Sequence, residues 1–152
     1  MDCLTVTEPQ KLSGHFVGRE HHFAVRVYFE DTDFSGLVYH GNYLKFLERA
    51  RSDMLKLIGI AQRAMFESGE GVYAITEINI KYKAPARFDE DLLIISTAEA
   101  VRPVGCTIHQ RVMRDGQLLI EAEVKAAFLS PRGRPKRQPA AWIAAFEGLL
   151  KE

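Results

Sequence analysis

This chain has little cysteine, no excess of charge and no long apolar run. Only Cys3 and Cys106 occur in 152 residues, in no metal-ligand spacing, and two cysteines make a poor disulfide framework for a chain of this size. Both read as reduced thiols. Twenty basic residues cancel twenty acidic ones, so no global field draws the protein to nucleic acid or to an anionic membrane surface. Nothing approaches the about 20 consecutive apolar residues needed to span a bilayer. The first residues, MDCLTVTEPQKLSGHFVGREHH, hold no apolar core flanked by basic residues. A cytoplasmic protein without membrane insertion is expected. Internal repeats and low-complexity tracts are also missing.

What is present is the composition of an ordinary globular domain, 47% hydrophobic and 26% charged, at a length that buries one core. Residues 1–20 mix Pro, Gly, Ser and charges without periodicity and read as a mobile arm. Residues 21–152 read as a single domain. From His22 the pattern has period two, with Phe23, Val25, Val27 and Phe29 on one face, a half-buried strand. Tyr43, Phe46, Leu47, Ala50, Met54, Leu57 and Ile58 then share one stripe of a helix over roughly Tyr43 to Ile58, with Asn42 as N-cap and Gly59 as stop. Four strands follow, over Val72–Tyr82, Leu92–Ala100, Cys106–Arg114 and Leu118–Leu129, the last two joined by the hairpin pair Asp115-Gly116. Trp142, Ile143, Phe146, Leu149 and Leu150 at helical spacing predict a short closing helix. The layout is α+β: one long helix on a five-stranded antiparallel sheet.

Between the first strand and the helix runs YFEDTDFSGLVYHGNY, residues 28–43. Asp, Ser and Gly are ordinary turn formers, yet Glu30, Asp31 and Asp33 crowd three negative charges into four positions, a repulsion that a plain turn has no need of. An aspartyl-phosphatase reading of Asp-x-Asp requires a doubly wound parallel sheet, which the hairpin-rich remainder opposes. A metal reading lacks further ligands to complete a coordination shell.

The longer run VRVYFEDTDFSGLVYHGNYLKFLERAR, continued by INIKYKAPARFDEDL and LLIEAEVKAAFL, resembles the 4-hydroxybenzoyl-CoA thioesterase family of the hotdog superfamily. In particular it is similar to the branch of short-chain acyl-CoA thioesterases associated with the Tol-Pal system. The resemblance covers about residues 23–139. It implies a hotdog fold, a homodimer or homotetramer with active sites at the dimer interface, an acyl-CoA substrate and no cofactor or metal. An acyl-carrier protein or an envelope-linked complex is a further partner class.

Carried onto this sequence, the resemblance makes Asp33 the catalytic carboxylate, as nucleophile or general base. It puts the oxyanion-binding backbone N–H at His40, where a helix start offers unpaired donors. Gly36 lets the loop turn and the substrate approach, while Tyr39 and Tyr43 line the pocket or the helix face. Glu48 and Arg51, three apart on the helix, read as an ion pair. Arg102, or the cluster Arg132, Arg134, Lys136 and Arg137, is expected to meet the CoA phosphates. Asp31 has no assigned chemistry, and neither have His15, His21 and His22. The alternatives are dehydration or hydration of acyl thioesters, which uses a different motif, and a non-catalytic acyl-CoA or acyl-carrier-protein binding module.

Overall fold

The computed structural model of the chain describes residues 12–150. Residues 1–11 of the expected arm, with Cys3, lie outside the described residues. The sheet has six antiparallel strands: β1 (His15–Val17), β2 (Glu20–Arg26), β3 (Val72–Tyr82), β4 (Asp91–Arg102), β5 (Gly105–Arg114) and β6 (Gln117–Leu129). Their order across the sheet is β1-β2-β4-β5-β6-β3. Helix α1 (Tyr43–Leu57) lies along one face, with α2 (Gln62–Glu67) after it and α3 (Ala140–Glu147) closing the chain. This is the α+β arrangement expected, with one strand more than the five predicted.

The local rules are visible at the element ends. Asp115 and Gly116 both have positive φ, 49° and 79°, the two-residue turn that matches strand twist. At the end of α1, Gly59 takes φ 88°. There Gly59 N–H donates to Lys56 O and Ile60 N–H to Leu55 O, the paired reverse bonds of a Schellman stop. Register shifts at Ile75/Glu77, Ala98/Ala100 and Val112/Met113 bend the sheet around the helix.

Alternation sends Ile94, Ser96 and Ala98 of β4, Ile108, Gln110 and Val112 of β5, and Ile120, Ala122, Val124 and Phe128 of β6 into the core. The first half of α1 packs there through Tyr43, Phe46, Leu47 and Ala50. Its second half, through Met54 and Leu55, meets Trp142 and Phe146 of α3. The opposite face is charged: Arg111 pairs with Glu20 at 2.6 Å and His109 with Glu121 at 3.0 Å.

The sixth strand, β1, falls within the segment expected to be a mobile arm. Asp53, on α1, holds it: Oδ2 accepts the Gly14 N–H at 2.9 Å and lies 2.6 Å from His21 Nε2. His21 is fully buried, and among the described residues its Nδ1 has no partner. Desolvation therefore pushes the imidazole pKa down, against the opposing pull of Asp53. A proton added at Nδ1 would meet no acceptor among the described residues.

The sign of the pH dependence follows. The folded chain resists a proton that the unfolded chain accepts near pH 6.5, so this contribution is full above about pH 6.5 and is lost as pH falls below it. The slope of unfolding free energy between pH 7.5 and 5.5 should flatten in His21→Gln. An unchanged slope in denaturant titrations would remove His21 as its source.

Candidate active site

The loop from β2 to α1 is built around a buried carboxylate. Asp31 is 5% exposed, in a 3-10 turn over Phe29–Asp31. Its Oδ2 accepts the Tyr28 N–H and its Oδ1 the Asn42 amide, both at 2.8 Å, while its carbonyl accepts the Tyr39 N–H at 2.9 Å. One side chain thus joins the two ends of the loop. Asn42, expected as an N-cap, makes no capping bond to α1 and is spent on Asp31.

With its base so fixed, the loop tip projects outward. Asp33 N–H donates to Leu37 O and Gly36 N–H to Asp33 O, at 2.9 and 3.0 Å. Gly36 sits at φ 80°, the left-handed region that glycine enters freely. Asp33 is exposed. Its Oδ1 accepts both the Ser35 hydroxyl and the Ser35 N–H. These bonds hold the carboxyl below the usual aspartate range, with a smaller contribution from the His40 imidazole. Among the described residues Oδ2 accepts nothing, so one oxygen is oriented and the other is free. Ser35 was missed as a functional residue, although its i+2 spacing from Asp33 is the ordinary Asx-turn signal.

His40 opens a second 3-10 turn, His40–Asn42, directly before α1. Among the described residues its N–H has no hydrogen-bond acceptor, while its carbonyl accepts from the Tyr82 hydroxyl at 2.9 Å. Tyr39 packs its ring 4.4 Å from the imidazole. The sequence-predicted Asp33, Gly36, Tyr39 and His40 therefore gather at one place. Tyr82, at the end of β3, joins them and had no signal beyond its place in a strand.

Of three other expected residues, Tyr43 lies beneath the site with its ring 5.8 Å from that of Tyr82, while Arg51 and Arg102 stand elsewhere. Tyr43 is in the core, 2% exposed, where its hydroxyl accepts the Ala86 N–H at 3.2 Å. Its aromatic ring follows the apolar stripe of α1 inward and anchors the helix. Arg51 makes no pair with Glu48: it turns inward to Gln110 at 2.9 Å, while Glu48 accepts from Ser52. Arg102 donates to Thr107 at the far end of β4. Arg26, just before the site loop, registers with Asp91 at the near end. Twelve residues at about 3.3 Å each separate the two ends by roughly 36 Å.

Residues 35–121 match the sequence pattern of the thioesterase superfamily. The acyl-CoA thioesterase YbgC of Haemophilus influenzae is 34% identical over 125 residues, covering 79% of this chain and 92% of that protein. A probable thioesterase from Bartonella henselae superposes with a TM-score of 0.75 at 32% identity, over 79% of this chain and 99% of that one. A 4-hydroxybenzoyl-CoA thioesterase solved with 4-hydroxybenzoyl-CoA shares the fold, with a TM-score of 0.76 at 24% identity over 84% and 98% of the two chains. The chain belongs to the thioesterase superfamily and is an enzyme of the thioester-hydrolase class.

Removing the Asn42 amide leaves a buried carboxylate short of a donor, which costs about 1–3 kcal/mol. Asn42→Ala should lower the unfolding free energy by that amount in a denaturant titration, whereas Asp33→Asn, at an exposed tip, should leave it unchanged.

Proposed function

We propose that this chain hydrolyses acyl-CoA thioesters, with Asp33 supplying the base or nucleophile and the His40 N–H receiving the developing oxyanion. One observation carries the reading: a carboxylate held low in pKa, with one oxygen that accepts nothing among the described residues, shares a loop with a backbone donor that among the same residues has no acceptor, at a helix start. In the general-base form, Asp33 takes a proton from water, the water oxygen bonds to the thioester carbon, and the carbonyl oxygen becomes negative beside the N–H. Collapse breaks the carbon–sulfur bond, and the proton passes to the departing CoA thiolate. In the nucleophilic form, Asp33 Oδ2 bonds to the carbon first, the carbon–sulfur bond breaks to release the CoA thiolate, which takes a proton from solvent, and water then opens the acyl anhydride to the free acid and the Asp33 carboxylate. A short aliphatic acyl group is favoured by the branch the sequence resembles.

The working unit is a homodimer. Strand β3 ends the sheet with a single neighbour, β6, and its Tyr82 touches His40. Antiparallel pairing of two β3 strands would carry the Val72 end of a second copy toward the Tyr82 end of the first. Val72 registers with Leu129, which leads into the turn that carries Arg132 and Arg134. The same end of the sheet carries Arg102. Basic groups remote from Asp33 in their own chain thus become candidates for the CoA phosphates of the other.

Thiol release from a panel of acyl-CoAs should fall about 10²–10⁴-fold in Asp33→Asn. Binding of acyl-CoA without thiol release by the wild type would replace the enzyme with a binding module. Because Ser35 holds the Asp33 pKa low, the acid limb of kcat/KM should lie below the ordinary aspartate value of about 3.9. A limb at pH 6 would indicate a different base. Charge reversal at Arg132 and Arg134 should raise KM more than it lowers kcat, and an unchanged KM would remove them from the site.

A further inference from the structure

The His40 N–H serves an oxyanion only if it points at the place where a carbonyl oxygen turns negative. Two peptide planes meet at the His40 Cα and set that direction. The plane that carries the N–H also carries the Tyr39 carbonyl, which accepts the Asn42 N–H at 2.8 Å. The other plane carries the His40 carbonyl, and the Tyr82 hydroxyl donates to it at 2.9 Å across 42 positions of sequence. Gly41 comes next in the chain. A Cβ there would lie 2.9 Å from Tyr39 Cε1, so the close turn favours glycine. Glycine in turn leaves the second plane free to swing unless a bond holds it.

Tyr82 has little freedom of its own. It is the last residue of β3, registered against Ile120 of β6. Its ring stands edge-on to that of Tyr43 at 5.8 Å and to that of His40 at 6.4 Å. Tyr43 is buried, and its hydroxyl is tied to the Ala86 N–H. Loss of water around Tyr82 pushes its phenol pKa up, which keeps the group a donor. We propose that Tyr82 is a positioning residue for the hydrolysis: through the His40 carbonyl it fixes the backbone around His40, and with it the direction of the N–H that receives the oxyanion. The role rests on the acyl-CoA reading above, and Tyr82 acts through His40 rather than on the substrate. Losing an oxyanion donor outright costs about 10²–10³ in kcat, and a donor kept but misaligned costs part of that.

Tyr82→Phe keeps the ring at this half-exposed position and removes only the hydroxyl. With the acyl-CoA that the wild type cleaves fastest, its kcat should fall at least tenfold while KM stays within twofold, because the lost alignment matters chiefly in the transition state. A smaller active fraction would also lower kcat, so a second readout looks at the thioester carbonyl itself. The same acyl-CoA, labelled with ¹³C at that carbonyl, is bound to Asp33→Asn and its infrared band recorded. With Tyr82 intact the band should lie below its frequency in water, and adding Tyr82→Phe should return it toward that frequency. A kcat that falls less than tenfold overturns the proposal, as does a loss that appears in KM or a fall in kcat with the band unmoved. If the wild type releases no thiol from any acyl-CoA, the hydrolysis reading fails and the positioning role falls with it. Full activity in both wild type and Tyr82→Phe overturns the positioning role alone.

Discussion

A carboxylate that leaves water must be met by donors, and the geometry of the candidate site follows from how Asp31 meets this demand. Its two oxygens take the Tyr28 N–H and the Asn42 amide, groups on opposite sides of the loop. The strand end and the helix start are thereby clamped together. Everything between them, including Asp33, must project as a tip. The crowding of Glu30, Asp31 and Asp33 becomes intelligible as a division of labour. Asp31 carries the loop from a buried position, and Asp33 remains in water where it keeps its charge.

The sheet-and-helix layout was legible because it depends on periodicity and turn chemistry. Strands β3, β5 and β6 obey alternation, Asp115-Gly116 sets a two-residue turn, and Gly59 ends α1 within a residue of expectation. The cluster of Asp33, Gly36, Tyr39 and His40 was legible because the residues are close in sequence, so local structure alone brings them together. What escaped depends on contacts between distant segments. Asn42 looks like a cap until Asp31 competes for it. Arg51 looks like half of an i,i+3 pair until Gln110, 59 positions away, offers an acceptor inside the core. Tyr43 suits a pocket wall or a core equally well, and burial alone decides between them. The strand β1 has no signal in its own residues, since Asp53 on a later helix is what orders it.

A second polar assembly runs through the interior and contrasts with the first. Ser96, Gln110 and Arg51 form a chain of donors and acceptors across β4, β5 and α1, set within apolar neighbours. Such networks are worth most when every member is satisfied. Among the described residues every link is closed, and the guanidinium, at the wall of a cavity, also lies in the field of Glu48. The candidate site loop leads into the start of α1 and this network meets the helix near its middle, so a negative group before α1 and a positive group on it lie in very different dielectric surroundings.

The open edge of β3 has a further property in the order of its residues. Glu77 and Lys81 flank Asn79 at equal distance along an otherwise mostly apolar or aromatic strand. Antiparallel pairing centred on Asn79 would set each acid of one strand against a base of the other, whereas parallel pairing in register would oppose like charges. The strand therefore reads as its own electrostatic complement in only one orientation. That parity makes the edge selective toward a copy of itself and discourages indiscriminate strand addition, the usual hazard of an uncovered edge.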